Sequence, residues 1–242
     1  MRILTIGNSF TEDATRYLHQ IAKAAGEDFE IVNLSIGGCS LEQHYHNMIE
    51  KNKSYLYFYN GCFMERLDVL TEIIESQEWD VITLQQASHF SFNKDTYYPY
   101  VTELVKYIRQ AQPKARLMLQ QTWAYEDGSE RLHVIAGYKT SDEMLSDVKA
   151  AYADVAKSEG LDGIIPSGEM FGALLKSGVA KIHRDTFHAS FGLGRYALGL
   201  LWFKTLTGKS VIDNSFCELD EEADEKEIAI VKDYVEKLEI CR

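Results

Sequence analysis

Cysteine is sparse and unpaired: Cys39, Cys62, Cys217 and Cys241 lie far apart in 242 residues, with no Cys-x-x-Cys pair. That spacing offers neither a disulfide framework nor a zinc site, and it points to a reducing compartment, the cytoplasm. No apolar run approaches the roughly 18 residues that span a bilayer, and the opening Met1 to Ile6 is shorter than the h-region of a signal peptide. Neither a membrane partner nor a leader is therefore expected. Basic charge is also short, with 25 Lys and Arg against 37 Asp and Glu and a net charge of −12. Broad affinity for nucleic acid or anionic lipid, which depends on basic patches, is excluded on that ground. There are only three prolines, and neither a linker nor an internal repeat is visible, so one domain over residues 1–242 is expected.

What is present is the composition of an ordinary folded protein, 45% hydrophobic and 26% charged. Residues 2–6 read as a buried strand, 7–12 as a turn and 13–25 as a helix closed by Gly26. Residues 29–36 are a second strand-length run ending in Gly37-Gly38, and a helix is expected from Ser40 to about Asn52. The helix-period segments 64–76 and 98–112 each precede a strand, at 80–85 and 115–121. A helix at 141–159, a short strand at 161–166, helices from Ser167 and over 190–207, and an acidic, amphipathic tail from Asp220 complete the pattern. Strands alternating with helices of ten or more residues imply crossover connections. The expected fold is a flavodoxin-like three-layer α/β/α sandwich with a mainly parallel sheet of about five strands.

Gly7-Asn8-Ser9 follows the first strand directly, which would present the Ser9 hydroxyl at the carboxyl end of the sheet, where open α/β sheets bind ligands. A serine becomes a useful nucleophile only when a general base accepts its proton, so a histidine oriented by a carboxylate is required. Asp185-Thr186-Phe187-His188 supplies both within one turn. Either motif alone has a plain structural explanation, a helix cap or a surface turn. Their positions, one after the first strand and one before a late helix, favour a Ser9, His188, Asp185 triad.

These blocks resemble the SGNH (GDSL-like) hydrolases, with Gly7-Asn8-Ser9 similar to the nucleophile block and Asp185 with His188 similar to the late Asp-x-x-His. Gly-Asn-Ser-Phe-Thr-x-Asp-Ala and His183-Arg184-Asp185-Thr186-Phe187-His188-Ala189-Ser190 are more narrowly similar to a bacterial branch of that superfamily. The resemblance implies a serine esterase, with Gly38 in the place of the second-block glycine. It departs in the third block, where Leu84-Gln85-Gln86-Ala87-Ser88 holds no asparagine. The expected oxyanion hole therefore comprises the backbone N–H groups of Ser9 and Gly38 and the amide of Gln86 or Gln85. Superfamily analogy further implies a short acyl group, acetyl, on a small-molecule or carbohydrate ester, with no cofactor.

Asn8, His89, Trp123 and His183 are candidate substrate contacts. Against each stands an ordinary packing role, as it does for the aromatic run 55–59. His44 and His46 point about 200° apart on a helix, a poor metal geometry, so no metal is expected. Two rival readings remain: a non-catalytic glycan-binding protein on the same fold, and a phosphate-binding flavodoxin-like protein. The second is weakened by a first loop without a Gly-rich cradle.

Overall fold

Nearly unbroken apolar runs become the centre of the sheet. In the computed structural model, which describes residues 1–179 and 181–238, β1 (Arg2–Gly7) lies between β2 (Glu30–Ser35) and β5 (Val81–Leu84). Both pairings are parallel. Such strands are buried on both faces, which is why they read as continuous rather than alternating hydrophobic runs. Between β1 and β2 run α1 (Ser9–Thr15) and α2 (Leu18–Ala24); α3 (Leu41–Glu50) follows β2. Next come β3 (Lys53–Tyr59), β4 (Cys62–Val69) and α4 (Leu70–Glu75). Beyond β5 lie α5 (Tyr100–Ala111), β6 (Arg116–Gln120), α6 (Ser141–Ser158), the two-residue β7 (Ile164–Ile165) and α7 (Ser167–Lys176). The chain closes with α8 (Leu193–Thr207) and α9 (Glu225–Lys237). Cys241 and the end of the acidic tail fall outside the described residues.

The strand order is β4-β3-β2-β1-β5-β6-β7. The chain enters at β1, moves one way to β2, then returns to β5 and proceeds the other way. Right-handed crossovers therefore put the helices of the two halves on opposite faces of the sheet. On one side α1 and α2 pack with α8, and α8 with α9; on the other α3, α4 and α5 pack together. The reversal between β2 and β5 makes the carboxyl end of β1 a topological switch point, where neighbouring loops splay apart and leave a crevice.

The sheet has seven strands rather than about five, because an antiparallel hairpin, β3 and β4, extends the β2 edge. Its second strand occupies much of 64–76, where a helix was expected; only residues 70–75 are helical. Six of the eight β4 residues are exposed, so no buried face imposes an alternation that would betray a strand. The turn itself carries the signal, since Asn60 (φ 50°) and Gly61 (φ 81°) are the Asn-Gly pair that tight hairpins favour. The helix expected at 13–25 is also two helices. It starts earlier, at Ser9, because Asn8 caps it, and it breaks at Arg16 and Tyr17.

Candidate active site

One residue, Asn8, turns β1 into α1. Its Oδ1 accepts from Phe10 N (3.1 Å) and from Gln85 Nε2 (3.2 Å), and its Nδ2 donates to the carbonyl of Cys39 (3.1 Å). The Asn8 carbonyl takes Thr11 N (2.9 Å) and Thr11 Oγ1 (2.6 Å). A turn this tight needs a glycine before it: a Cβ on Gly7 would stand 2.6 Å from Thr11 Oγ1 and 2.7 Å from Gln85 Oε1. Through the Cys39 carbonyl, Asn8 also ties down the loop carrying Gly37 and Gly38, both exposed, with Gly38 at φ 66°. Ser9 thus starts α1 at the switch point, held from three directions by one asparagine.

The Asp-x-x-His segment meets it from the far end of the chain. His188 Nε2 lies 2.8 Å from Ser9 Oγ, and His188 Nδ1 lies 2.7 Å from Asp185 Oδ2. The other Asp185 oxygen accepts from His188 N at 2.8 Å. Burial works to raise the Asp185 pKa, but the hydrogen bonds from the His188 ring and backbone, and its charge, outweigh it and hold the carboxyl below its usual range. The segment is strained, with Thr186 at φ 72°, a region β-branched residues rarely enter. Three donors hold it there. Glu126 N binds the Thr186 carbonyl (2.8 Å), Trp123 Nε1 the Phe187 carbonyl (2.7 Å) and Arg184 N the His188 carbonyl (3.0 Å).

Beneath both halves sits Asp13, four residues after Ser9 and fully buried. It accepts Arg184 Nη1 on both oxygens (2.9 Å each), Arg195 Nε (2.8 Å) and Ala189 N (3.1 Å). Arg184 precedes Asp185 and Ala189 follows His188, so one carboxylate on the serine's helix grips the histidine's loop on both sides. Sequence reading missed this residue. The available signal was the spacing, because positions i and i+4 share one helix face.

The structure brings Ser9, His188 and Asp185 together but sends other candidates elsewhere. Gln86, expected to serve the oxyanion, is fully buried; its Oε1 accepts from Leu41 N (2.9 Å) and its Nε2 donates to Thr96 O (3.0 Å). Gln85 is equally buried and spends its amide donor on Asn8. Asn8, placed among substrate contacts, instead shapes the turn. Trp123 lies in the core, stacked between Phe10 (4.1 Å) and Phe171 (4.6 Å), and its indole N–H pins the Asp185–His188 segment. His183 packs edge-on against Phe171, and burial drives its pKa down to about 4 against the opposing pull of the Ala124 backbone and Asp185. Only His89 remains half-buried, with its pKa lowered by burial and then by the charge of Arg131. His44 is buried against Tyr55 (2.8 Å), and no metal-binding cluster occurs among the described residues.

The mostly parallel, seven-stranded α/β/α sandwich is the fold of the SGNH hydrolases. The sequence matches the family described as "Domain of unknown function (DUF4886)" over residues 2–235, and the chain belongs to that family. A DUF4886 protein of Bacteroides uniformis is 31% identical, with a TM-score of 0.91 over 98% of this chain and 93% of its own. A protein of Slackia heliotrinireducens assigned as an SGNH hydrolase shares the fold at 23% identity and a TM-score of 0.60, covering 85% of this chain and 98% of its own. A variant of an acetyl xylan esterase from Geobacillus stearothermophilus shares it at 15% identity and a TM-score of 0.50, over 90% and 96%. No curated protein matches the sequence. Among the described residues no helix is long and apolar enough to cross a membrane.

Proposed function

We propose that the protein is a serine esterase that hydrolyses short-chain, acetyl-type esters through an acyl-enzyme. The observation that carries this reading is the continuous path from Asp185 through His188 to Ser9, with links of 2.7 and 2.8 Å. Ser9 Oγ attacks the ester carbonyl while His188 Nε2 takes its proton. Asp185 keeps the other ring nitrogen as the donor and stabilises the imidazolium. The carbonyl oxygen becomes negative and is stabilised by Ser9 N–H and by Gly38 N–H, whose loop Asn8 ties to the start of α1 through the Cys39 carbonyl. His188 then protonates the departing alcohol. Water repeats the sequence on the acyl-enzyme and regenerates Ser9.

Because both glutamines are committed inside the fold, this oxyanion hole is made of backbone donors, with Gln85 acting on it only through Asn8. The acetyl xylan esterase with this fold motivates a carbohydrate ester as substrate. Unpaired Cys39, Cys62 and Cys217 suit a reducing compartment, the cytoplasm.

Hydrolysis of 4-nitrophenyl acetate tests the reading. Ser9→Ala and His188→Ala are each expected to lower kcat by on the order of 10⁶. Equal turnover in wild type and both variants would overturn it, and sugar binding without turnover on an ester panel would favour the glycan-binding rival.

A further inference from the structure

Arg131 stands at the rim of this site with no counter-ion among the described residues. It opens the π-helical turn Arg131–Ile135 on the loop that follows β6, a turn anchored by the buried Leu132. Its guanidinium carbon lies 3.7 Å from the centre of the Phe187 ring, and that ring lies 3.7 Å from the imidazole of His188. Only one aromatic ring therefore separates this cation from the base. By contrast, Arg2, Arg16, Arg66, Arg109, Arg184 and Arg195 each meet a carboxylate. Among the described residues no carboxylate pairs with Arg131; its guanidinium lies over the face of Phe187 and donates to the Tyr125 hydroxyl.

In a protein of net charge −12, a partly desolvated cation without a carboxylate partner, one ring away from His188, is an unusual local field. Two features show that it is held rather than trailing in solvent. Leu132 N binds Ser129 Oγ (3.2 Å) and His133 Nδ1 meets the Tyr138 carbonyl (2.9 Å), which fixes the turn. The charge also reaches His89, half-buried after β5, and with burial helps to keep that ring neutral. A guanidinium carries five N–H donors, so one that lies on an aromatic face and donates to a tyrosine hydroxyl still has a pair of N–H groups whose fork matches the two oxygens of a carboxylate.

We infer that Arg131 is a carboxylate-recognition site next to the reacting ester, so that the substrate is an acyl ester carrying a carboxylate, as in an acylated acidic sugar or hydroxy acid. The inference rests on the esterase reading and narrows its substrate class. The anion is bound by Arg131 across Phe187 from His188, on the side of the crevice formed by the loops after β5 and β6.

The test compares kcat/KM for monoacetylated glucuronic acid with that for its methyl ester, with 4-nitrophenyl acetate as a neutral reference. The acid is expected to be preferred about tenfold or more at low ionic strength, with the preference falling as salt is added. Arg131→Gln should bring the ratio close to one. A ratio near one in the wild type, or a preference that survives Arg131→Gln, would overturn the inference. If even 4-nitrophenyl acetate is not turned over, the failure belongs to the esterase reading. Calorimetry of Ser9→Ala with sodium glucuronate then decides the site alone: salt-sensitive binding abolished by adding Arg131→Gln supports it, and absence of binding refutes it.

Discussion

His183 and His44 are buried as neutral imidazoles, with pKa values that burial pushes down to about 4 and about 3. In the unfolded chain both would titrate near the ordinary histidine value. Between that value and the folded one, the unfolded state binds protons that the folded state refuses, so stability rises with pH there and falls on acidification. For His183 the shift corresponds to about 2 kcal/mol lost at pH 5 relative to neutral pH. Urea denaturation at pH 7.5 and pH 5 is therefore expected to show a lower midpoint at pH 5, with a distinctly smaller drop in His183→Gln. Equal drops in the two proteins would contradict this assignment. Asp185 acts in the opposite range: its depressed carboxyl contributes stability above the unfolded carboxylate pKa, and that contribution disappears only as pH falls through the folded value.

At the scale of elements, the site is a junction between α1 and a loop some 180 residues later, and Asp13 is the fastener. Its carboxylate is nearly inaccessible, and the two arginines that it binds are largely covered. Removing one partner of such a network leaves the other charges buried and uncompensated, at a cost of roughly 3–5 kcal/mol. Asp13→Asn is expected to lose stability on that scale in urea denaturation and, at temperatures where it remains folded, to turn over 4-nitrophenyl acetate more slowly because Asp185 and His188 are no longer clamped to the helix of Ser9. A variant with wild-type stability would show that the clamp contributes little. Neither Asp13, though part of the quoted nucleophile block, nor Arg131 was given a role from the sequence, because what defines that role is the company they keep, Arg184 and Arg195 for one and Phe187 for the other. The short-range parts of the site were legible for the converse reason. Asp185 and His188 meet within one turn, and Ser9 follows its strand directly, so local spacing carries that information. Trp123 and the glutamine pair were read as site residues by their position after strands, but the side-chain direction that buries them is set by tertiary packing.

At the scale of the molecule, the parallel strands β1, β2, β5 and β6 were legible because each is covered on both faces and so appears as an apolar run. The β3–β4 hairpin was not, since its outer strand is exposed and no core dictates its pattern. That hairpin lies on the sheet edge away from β5, so the error left the functional geometry untouched: the reversal of strand order around β1 still puts Ser9 at the crevice. The central proposal, that Ser9 is an activated nucleophile, rests on the hydrogen-bonded chain from Asp185 through His188 to Ser9. An alkyl fluorophosphonate, which bonds to activated serines, tests it directly when adducts are mapped by mass spectrometry of intact protein and its peptides. The account predicts a single stoichiometric adduct on Ser9 in the wild type and none in His188→Ala. An unlabelled wild-type protein, or an adduct on a different serine, would contradict it.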